Sequence, residues 1–355
     1  MPASEPKVLV AGAGPTGLTL AAELARHDVP VRIVDRKDGP STLSQALALM
    51  PRTVEVFDLM GIAEQAVAKG LPVDGMTMYS RGRRLGQIDI SARDTRHPKI
   101  LDLPQTDTEG ILVDHLRDLG VEVEWGTQLV GFGQDGEGLS ATLQTTGREP
   151  TTTELSPEWL VGCDGSSSRV REALGIPYEG RSLAELWSLI EARIDWDHRA
   201  DRMHMFLSSE GLMAFFPLPG GTWRVMVNLP NVEEAVHLDD PTPADMEQHA
   251  TERGVPLERI HDPVWSGYFR IQERLAARYR DGRVLLCGDA AHVHSPAGGQ
   301  GMNTCIQDAH NLAWKLALVV NGRAGEELVD SYQDERRAIA AGDREQRPAQ
   351  AASAR

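Results

Sequence analysis

The chain has 355 residues, of which 41% are hydrophobic and 25% charged, as is typical of a globular protein of about two domains. Its formal net charge of -16 argues against sequence-independent binding to nucleic acid or to an anionic membrane. No apolar run approaches the roughly 20 residues of a membrane-spanning helix, so we expect no membrane partner. The 3 cysteines are far apart and no signal-peptide pattern is present, which predicts a cytoplasmic protein without disulfides.

The N-terminal region carries a nucleotide-binding pattern. Residues 7–11 predict a strand, the turn Gly12-Ala-Gly-Pro-Thr-Gly17 follows, and residues 18–27 predict a helix. In such a turn the first glycine permits a tight bend, the second admits a pyrophosphate, and the third lets helix and strand pack. Val31–Val34 predicts the next strand, after which Asp35 can accept hydrogen bonds from a ribose diol. The pattern predicts a dinucleotide with an adenosine half, which FAD and NAD share.

A second strand–turn–helix pattern lies towards the C-terminus. Residues 283–287 predict a short buried strand, and Gly301–Val320 predicts a helix from apolar residues at helical spacing. The turn between them contains several glycines and a proline, and glycine lets a ligand approach the backbone closely. Because a helix N-terminus presents unpaired N–H groups and a partial positive charge, this turn suits a flat or anionic group.

Four stretches, in this order, resemble the motifs of the single-component (group A) flavoprotein aromatic hydroxylases, which have the p-hydroxybenzoate hydroxylase fold. They are the turn 12–17, Gln105 within residues 103–109, Asp164-Gly165 and the stretch 288–303. The segment 41–55 is most similar to the branch that oxygenates aromatic polyketides. The resemblance covers residues 6–340 and implies an α/β protein, in which a Rossmann-like FAD-binding domain is interleaved with a mostly antiparallel substrate sheet domain.

The resemblance and the order of the elements predict the domain boundaries. Many polyketide hydroxylases add a C-terminal thioredoxin-like domain, for which we expect no counterpart in this sequence. We expect a discontinuous FAD-binding domain of residues 1–72, 103–179 and 276–340, a substrate-binding domain of residues 73–102 and 180–275, and a frayed tail of residues 341–355.

The resemblance also implies which residues bind FAD. Asp35 would bind the adenosine ribose, Gln105 and Asp289 the ribityl and pyrophosphate region, and Pro296 would border the flavin ring beside the substrate. The N-terminus of the helix that follows would stabilise the negative charge of reduced flavin. The predicted cofactor-binding residues are Gly12, Gly14, Pro15, Thr16, Gly17, Asp35, Arg36, Gln45, Gln105, Asp164, Asp289, Pro296, Gly299, Gly301, Met302 and Asn303.

Three positions depart from the family pattern. Gln45 stands where an arginine usually positions the flavin or neutralises phosphate, which predicts weaker or reoriented FAD binding. Ser167 replaces another common arginine, for which Arg169 and Arg171 would compensate in part. Cys305 replaces a glycine at the start of the predicted helix.

The substrate half is predicted to be a sheet with flanking helices. Pro219-Gly-Gly221 predicts a hairpin turn, residues 243–253 a helix capped by Thr242, and residues 271–280 a second helix. Large apolar residues would form the core of this sheet and, together, a surface for a broad apolar ligand. They are Met203, Met205, Phe206, Met213, Phe215, Phe216, Trp223 and Met226.

The chemistry implied by the resemblance is oxygen transfer to an aromatic ring. NADPH or NADH would reduce the flavin, O2 would form the C4a-hydroperoxide, and a hydroxyl group would pass to a phenolic or polycyclic aromatic substrate. No catalytic triad is expected, because the cofactor performs the difficult step. Pro296 and Arg270, with Tyr268 nearby, are the candidate catalytic residues. His292 and His294 lack a third ligand nearby, so we expect no metal.

Two other functions fit the same sequence. The chain would be a flavin-dependent cyclase or isomerase that uses the scaffold without redox turnover, which Gln45 and Ser167 favour. Alternatively, it would be an inactive relative that binds flavin weakly or not at all. Epoxidation and Baeyer–Villiger oxidation are variants of the monooxygenase function.

Overall fold

The structure, a computed structural model, describes residues 6–90, 94–229, 239–294 and 299–352. Within these ranges the chain forms a mixed α/β fold. The helices are α1 Pro15–Arg26, α2 Pro51–Met60, α3 Ala63–Lys69, α4 Gln105–Asp118, α5 Arg169–Ala173, α6 Pro243–Glu252, α7 Gly301–Val320 and α8 Glu327–Ala352.

The strands are mostly short, with two long exceptions of 18 residues each, β13 and β17. They are β1 Val8–Ala11, β2 Val31–Val34, β3 Ala48–Leu49, β4 Leu71–Val73, β5 Gly75–Ser80, β6 Arg83–Asp89, β7 Ile100–Asp102, β8 Val123–Glu124, β9 Thr127–Asp135, β10 Gly138–Thr145, β11 Thr152–Leu155, β12 Trp159–Gly162, β13 Tyr178–Asp195, β14 Arg202–Ser208, β15 Gly211–Pro217, β16 Trp223–Leu229, β17 Arg259–Ala276, β18 Arg280–Asp281, β19 Val284–Leu286 and β20 His292–Val293.

The first compact unit comprises Met1–Ser44, Gln105–Arg181 and Glu273–Arg355. Its main sheet has the strand order β18-β19-β12-β1-β2-β8, and all of its pairs are parallel except β18 with β19. The central strands are completely buried, as expected for a parallel sheet covered on both faces. Strands β9, β10 and β11 form a separate antiparallel sheet.

The second compact unit comprises Gln45–Pro104 and Ser182–Gln272. Its large sheet runs in the order β17-β13-β16-β15-β14-β5-β6, and β3, β7 and β4 form a small antiparallel sheet. One face of the large sheet packs on α6 through a core that includes Ile190, Phe206, Val225, Met246 and Ala250.

Most predicted elements are confirmed. Helix α7 has the predicted bounds, and a short turn at Pro219–Gly221 joins β15 to β16 as predicted. Helix α6 begins after Thr242, whose side chain accepts a hydrogen bond from the backbone of Asp245. The local sequence therefore determines these elements through apolar spacing, turn residues and a helix cap.

The prediction of a helix at residues 271–280 is wrong, because β17 continues through Ala276. The buried residues Ile271 and Leu275 are four apart, a spacing that fits one face of a helix and also one face of a strand. This segment is a strand because it pairs with β20, where Leu275 lies opposite His292.

Two predicted boundaries also differ from the structure. Residues 45–72, predicted to belong to the FAD-binding domain, pack within the second unit. Their strands β3 and β4 pair with β7, and this pairing fixes their place. The frayed tail predicted from residue 341 is helical as far as Ala352, where α8 ends.

Candidate functional site

Three turns of the first unit lie side by side at one edge of the parallel sheet. Strand β12 pairs with β1 on one side, Ala11 opposite Gly162, and with β19 on the other, Gly162 opposite Leu286. The first turn follows β1 and begins at Gly12, the second follows β12 and begins at Cys163, and the third follows β19 and begins at Cys287. The three turns therefore share the carboxyl edge of the sheet, where open α/β sheets bind ligands. The two glycine-containing turns found in the sequence therefore converge at this edge.

The glycines of the first turn have different surroundings. A Cβ on Gly12 would lie 2.4 Å from the Cys163 carbonyl oxygen, and one on Gly17 would lie 1.9 Å from the Gly12 carbonyl oxygen. These two glycines let backbone segments pack against each other. A Cβ on Gly14 would meet no atom within 4 Å in the part of the chain that the structure describes. Space beside Gly14 is therefore open to a ligand, as the pyrophosphate pattern requires.

The turn after β19 packs directly against the start of α1. Gly288 has a φ of +64°, and a Cβ on it would lie 2.5 Å from Thr16 Oγ1. Only glycine fits both this left-handed conformation and this contact. Thr16 and Gly288 thereby hold the first and third turns together.

Asp35 lies at the end of β2, as the fingerprint predicts. Its carboxylate oxygens accept hydrogen bonds from the backbone N–H groups of Ala13, at 2.7 Å, and Lys37, at 2.9 Å. A carboxylate has about four acceptor positions, so Asp35 retains capacity for the two hydroxyls of a ribose. The neighbouring Arg36 is exposed.

Asp164 caps α5 with one carboxylate oxygen. Its Oδ2 accepts from the backbone N–H groups of Arg169 at 2.8 Å and Val170 at 3.2 Å. Its Oδ1 is buried and has no hydrogen-bond partner within the described part of the chain. A buried acceptor without a partner is costly, so this atom fits a hydrogen-bond donor on a bound ligand.

Arg171 joins the second turn to the third. Its side chain is buried and donates to the carbonyl of Ala290 at 3.0 Å and to that of Ser166 at 2.9 Å. The guanidinium also lies 3.8 Å from the ring centroid of Tyr178, whose hydroxyl donates to the Asp289 carbonyl at 2.8 Å. Arg171 therefore stabilises the turn that contains Ser167.

Cys305 lies beside the carboxyl group of Asp289. Its Sγ is 3.2 Å from Asp289 Oδ1, and the residue is buried. Burial, followed by the nearby Asp289 carboxylate, raises the pKa of the Cys305 thiol well above its usual value. The thiol therefore stays protonated, donates to Asp289 and orients its side chain. A glycine at this position has no side chain and could not make this contact.

The N-terminus of α7 has the predicted open backbone. Asn303 is fully buried, and its Nδ2 donates to the carbonyl oxygen of Gly299 at 2.6 Å. A Cβ on Gly301 would meet no atom of the described residues outside its own helix within 4 Å, and Met302 is half-buried beside it. Pro296 lies outside the described residues, so its role as a catalytic and flavin-contacting residue stays a prediction.

Gln105 is held at the N-terminus of α4. Its backbone N–H donates to Ser44 Oγ at 2.9 Å, and its Nε2 donates to Glu109 Oε1 at 2.8 Å. Glu109 also accepts from the backbone N–H of Ser41 at 3.0 Å. The side chain of Gln105 is thus oriented, and its role toward the ribityl chain stays a prediction.

Two predicted site residues belong to the second unit. The backbone carbonyl of Gln45 accepts from Arg224 Nη1 at 2.9 Å, and Arg270 Nη1 donates to the Ala184 carbonyl. Arg224 is buried and also donates from Nε to Glu191 Oε1 at 2.9 Å. The roles of Gln45 and Arg270 stay predictions. Arg224 and Glu191 were not predicted from the sequence, although charged residues within alternating apolar strands are a usable signal.

His292 belongs to a buried hydrogen-bond network that was not predicted from the sequence. Its Nε2 lies 2.5 Å from Asp308 Oδ2, and Arg336 Nε lies 2.5 Å from Asp308 Oδ1. The network ties β20 to α7 and α8 behind the third turn. Its members are distant along the chain, so spacing within a short motif does not reveal them.

These features identify the family. The FAD binding domain family matches residues 5–345, and the chain belongs to that family. It is 43% identical over 342 residues to the 6-methylpretetramide 4-monooxygenase of Streptomyces rimosus, a match that covers 94% of this chain and 59% of the relative. The chain thus spans less than two thirds of that relative's length.

Solved structures show the same fold. The OxyS anhydrotetracycline hydroxylase from Streptomyces rimosus superimposes with a TM-score of 0.75 and 37% identity, over 95% of this chain and 67% of that one. The Diels-Alderase PyrE3 of pyrroindomycin biosynthesis superimposes with a TM-score of 0.76 and 32% identity, over 96% of this chain and 72% of that one. Within the described ranges, no helix combines the length and apolar character needed to cross a membrane.

Proposed function

We propose that this protein is an FAD-dependent monooxygenase that hydroxylates a phenolic or polycyclic aromatic substrate, with NADH or NADPH as the reductant and O2 as the oxidant. The observation that carries the proposal is the convergence of three turns at one sheet edge. Among the described residues, the space beside Gly14 is open and Asp164 Oδ1 has no hydrogen-bond partner. When bound, FAD supplies hydride acceptance and oxygen activation.

The residues of the first unit fit the cofactor by their chemistry. Asp35 would hold the adenosine ribose through its free acceptor positions, and the backbone beside Gly14 would approach the pyrophosphate. Asp164 and Asp289 would accept from hydroxyl groups of the cofactor. The open N-terminus of α7 at Gly301 would present backbone N–H groups to a developing negative charge.

The names of similar proteins support the class of substrate. One relative is a 6-methylpretetramide 4-monooxygenase, and one structural neighbour is an anhydrotetracycline hydroxylase. Each name is that of an enzyme that oxygenates an aromatic compound. The apolar residues on the strands of the second unit suit such a ligand better than they suit a small polar one.

Purified protein in the presence of added FAD tests this proposal. We expect about one FAD per chain, slow NADPH oxidation alone, and O2 uptake that rises several-fold with a matching polycyclic phenol. Mass spectrometry should show a product heavier by one oxygen atom, which carries the label when the reaction is run under 18O2. Absence of bound FAD, or a product without the label, contradicts the proposal.

A second candidate is a cyclisation catalysed without redox turnover. The similarity to the Diels-Alderase PyrE3 favours it, as do Gln45 and Ser167 at positions where the family has arginine. The same assay separates the two functions, because a cyclase converts its substrate in the absence of NADPH and O2 and leaves the product mass unchanged.

A further inference from the structure

The backbone of the third turn is fixed at two neighbouring carbonyl groups. The Tyr178 hydroxyl donates to the carbonyl of Asp289 at 2.8 Å, and Arg171 donates to that of Ala290 at 3.0 Å. Within the turn, Gly288 and Ala290 are buried, whereas Asp289 is exposed. The backbone therefore holds Asp289 at the edge where the three turns meet, and only its carboxylate remains to be oriented.

One side chain of α7 orients this carboxylate. Cys305 is buried, and its Sγ lies 3.2 Å from Asp289 Oδ1. The thiol keeps its proton and is the donor of this hydrogen bond, since a carboxylate can only accept. In the part of the chain that the structure describes, no other side chain donates to the Asp289 carboxylate. The second oxygen, Oδ2, therefore has acceptor capacity for a ligand.

The charged surroundings of Asp289 make this donor important. The titratable groups packed around the carboxylate are Cys305 and Asp308 on α7, His292 on β20, Tyr178 on β13 and Arg171 on α5. Although Asp289 is exposed, desolvation by the surrounding turns raises the pKa of its carboxyl, and the thiol hydrogen bond opposes this rise. Loss of the thiol would therefore favour the protonated carboxyl, which is a weaker acceptor than the carboxylate.

We propose that Cys305 is a positioning residue of the cofactor site, whose thiol keeps Asp289 ionised and leaves Oδ2 to accept from one hydroxyl group of FAD. This inference rests on the proposed function and adds a residue that acts through Asp289. A hydroxyl group at residue 305 should serve the same purpose, and an apolar side chain should not.

Titration with FAD, followed by flavin fluorescence from about pH 5 to pH 8, tests the inference. Cys305→Ala should weaken FAD binding by about threefold to tenfold at pH 7, the range expected for one lost hydrogen bond. The loss should grow as the pH falls, because Asp289 takes up its proton at a higher pH in this variant than in the native chain.

Two further variants separate this role from a purely structural one. Cys305→Ser keeps a donor and should recover most of the affinity and the native pH profile. Cys287→Ala is the matched control, because it removes a buried thiol at the beginning of the same turn that bonds to Cys163 and Tyr332 instead. Any loss of affinity in this control should be the same factor at every pH. Thermal melts establish that all variants fold.

The thiol itself reports the hydrogen bond without any cofactor. The infrared S–H stretching band that disappears in Cys305→Ala belongs to this thiol, and donation to a carboxylate lowers the frequency of the band. We expect the band to move to higher frequency as acid protonates Asp289. In Asp289→Asn the band should lie at the higher frequency at every pH.

Three outcomes overturn the inference: the same loss of FAD affinity at every pH in folded Cys305→Ala, no recovery in folded Cys305→Ser, or an S–H band that responds neither to pH nor to Asp289→Asn. A native chain that binds FAD and shows any of these outcomes contradicts the inference alone. A native chain that binds no FAD contradicts the proposed function, and the inference with it.

Discussion

Thr16 and Gly288 are in direct contact, although they belong to turns at opposite ends of the chain. A Cβ on Gly288 would lie 2.5 Å from Thr16 Oγ1 and 2.8 Å from Thr16 Cγ2. Because β12 separates β1 from β19 in the sheet, the contact spans the second turn and closes the edge where the three turns meet. The geometry of the whole edge therefore depends on one glycine.

Replacement Gly288→Ala should displace α1 from the third turn. Gly322 also has a positive φ, +67°, but a Cβ there would meet no atom of the described residues within 4 Å, so Gly322→Ala is a matched control for backbone strain alone. Each variant pays about 1 to 2 kcal/mol for the left-handed conformation. Only Gly288→Ala should also lower FAD affinity, by about tenfold or more, as measured by flavin fluorescence titration.

Adding Thr16→Ala to the Gly288→Ala variant removes the two closest atoms of the clash. We expect the double variant to recover part of the lost FAD affinity, because only Thr16 Cβ, at 3.2 Å, remains close. Equal FAD affinity in Gly288→Ala and Gly322→Ala would show that the contact has no role in the cofactor site.

Substitutions of Gly14 and Gly17 by alanine should have different effects, one on FAD binding and the other on folding. Gly14 has an extended conformation, with φ −79° and ψ −178°, and space around its Cα, so Gly14→Ala should leave the melting temperature nearly unchanged. The added methyl group would occupy the space beside the backbone and should lower FAD affinity by about 10- to 100-fold, equivalent to about 1.4 to 2.7 kcal/mol.

Gly17→Ala should instead damage the fold, because its Cβ would lie 1.9 Å from the Gly12 carbonyl oxygen. We expect low expression or a melting temperature lowered by several degrees, with or without FAD. The functional assignment of this turn fails if Gly14→Ala binds FAD as tightly as the native chain does.

The sequence predicted the parts of the fold and of the site that are set by local chemistry. The turn of Gly12 and Gly17 and the cap at Thr242 depend on neighbouring residues, so one segment contains the information. Arg171, which bonds to Ala290, and His292, which bonds to Asp308, depend on distant strands and helices. Such contacts arise only after the sheet has brought the turns together, and no short motif encodes them.

Asp102 should make the protein less stable as the pH rises. It is fully buried, and neither carboxyl oxygen has a hydrogen-bond partner in the described part of the chain. Burial raises the pKa of this carboxyl well above its usual value of 3.8, and the nearby Arg224 offsets the effect only in part. Above pH 3.8 the unfolded state loses this proton while the folded state keeps it, so stability falls as the pH rises toward the folded pKa.

The Asp102→Asn variant removes this titration. Its stability relative to the native chain should increase from pH 4 upward, by up to about 1.4 kcal/mol per pH unit while the folded carboxyl stays protonated. Asp89→Asn is the control, and its stability relative to the native chain should instead decrease as the pH rises, because hydrogen bonding to Arg202 lowers the pKa of Asp89. Urea unfolding at several pH values measures both variants, and parallel curves for Asp102→Asn and the native chain would contradict the prediction.

His204 should have the opposite effect and reduce stability in acid. It is 3% exposed, its Nε2 donates to the Arg199 carbonyl at 2.9 Å, and its Nδ1 lies 3.4 Å from the Tyr79 hydroxyl. Burial, with a smaller contribution from the nearby His198, lowers the pKa of His204 from 6.5 to about 4, although the Arg199 carbonyl favours the charged form. Below pH 6.5 the unfolded state gains a proton that the folded state does not accept until about pH 4.

The stability lost over this window is up to about 3 kcal/mol, because one pKa unit corresponds to about 1.4 kcal/mol. His204→Gln keeps a donor for the Arg199 carbonyl and does not titrate, so its unfolding free energy should change less between pH 6.5 and pH 4 than that of the native chain. The variant should be less stable at pH 7, because His204 packs on His198 with ring centroids 4.8 Å apart. An equally steep slope in His204→Gln would show that His204 is not the group responsible.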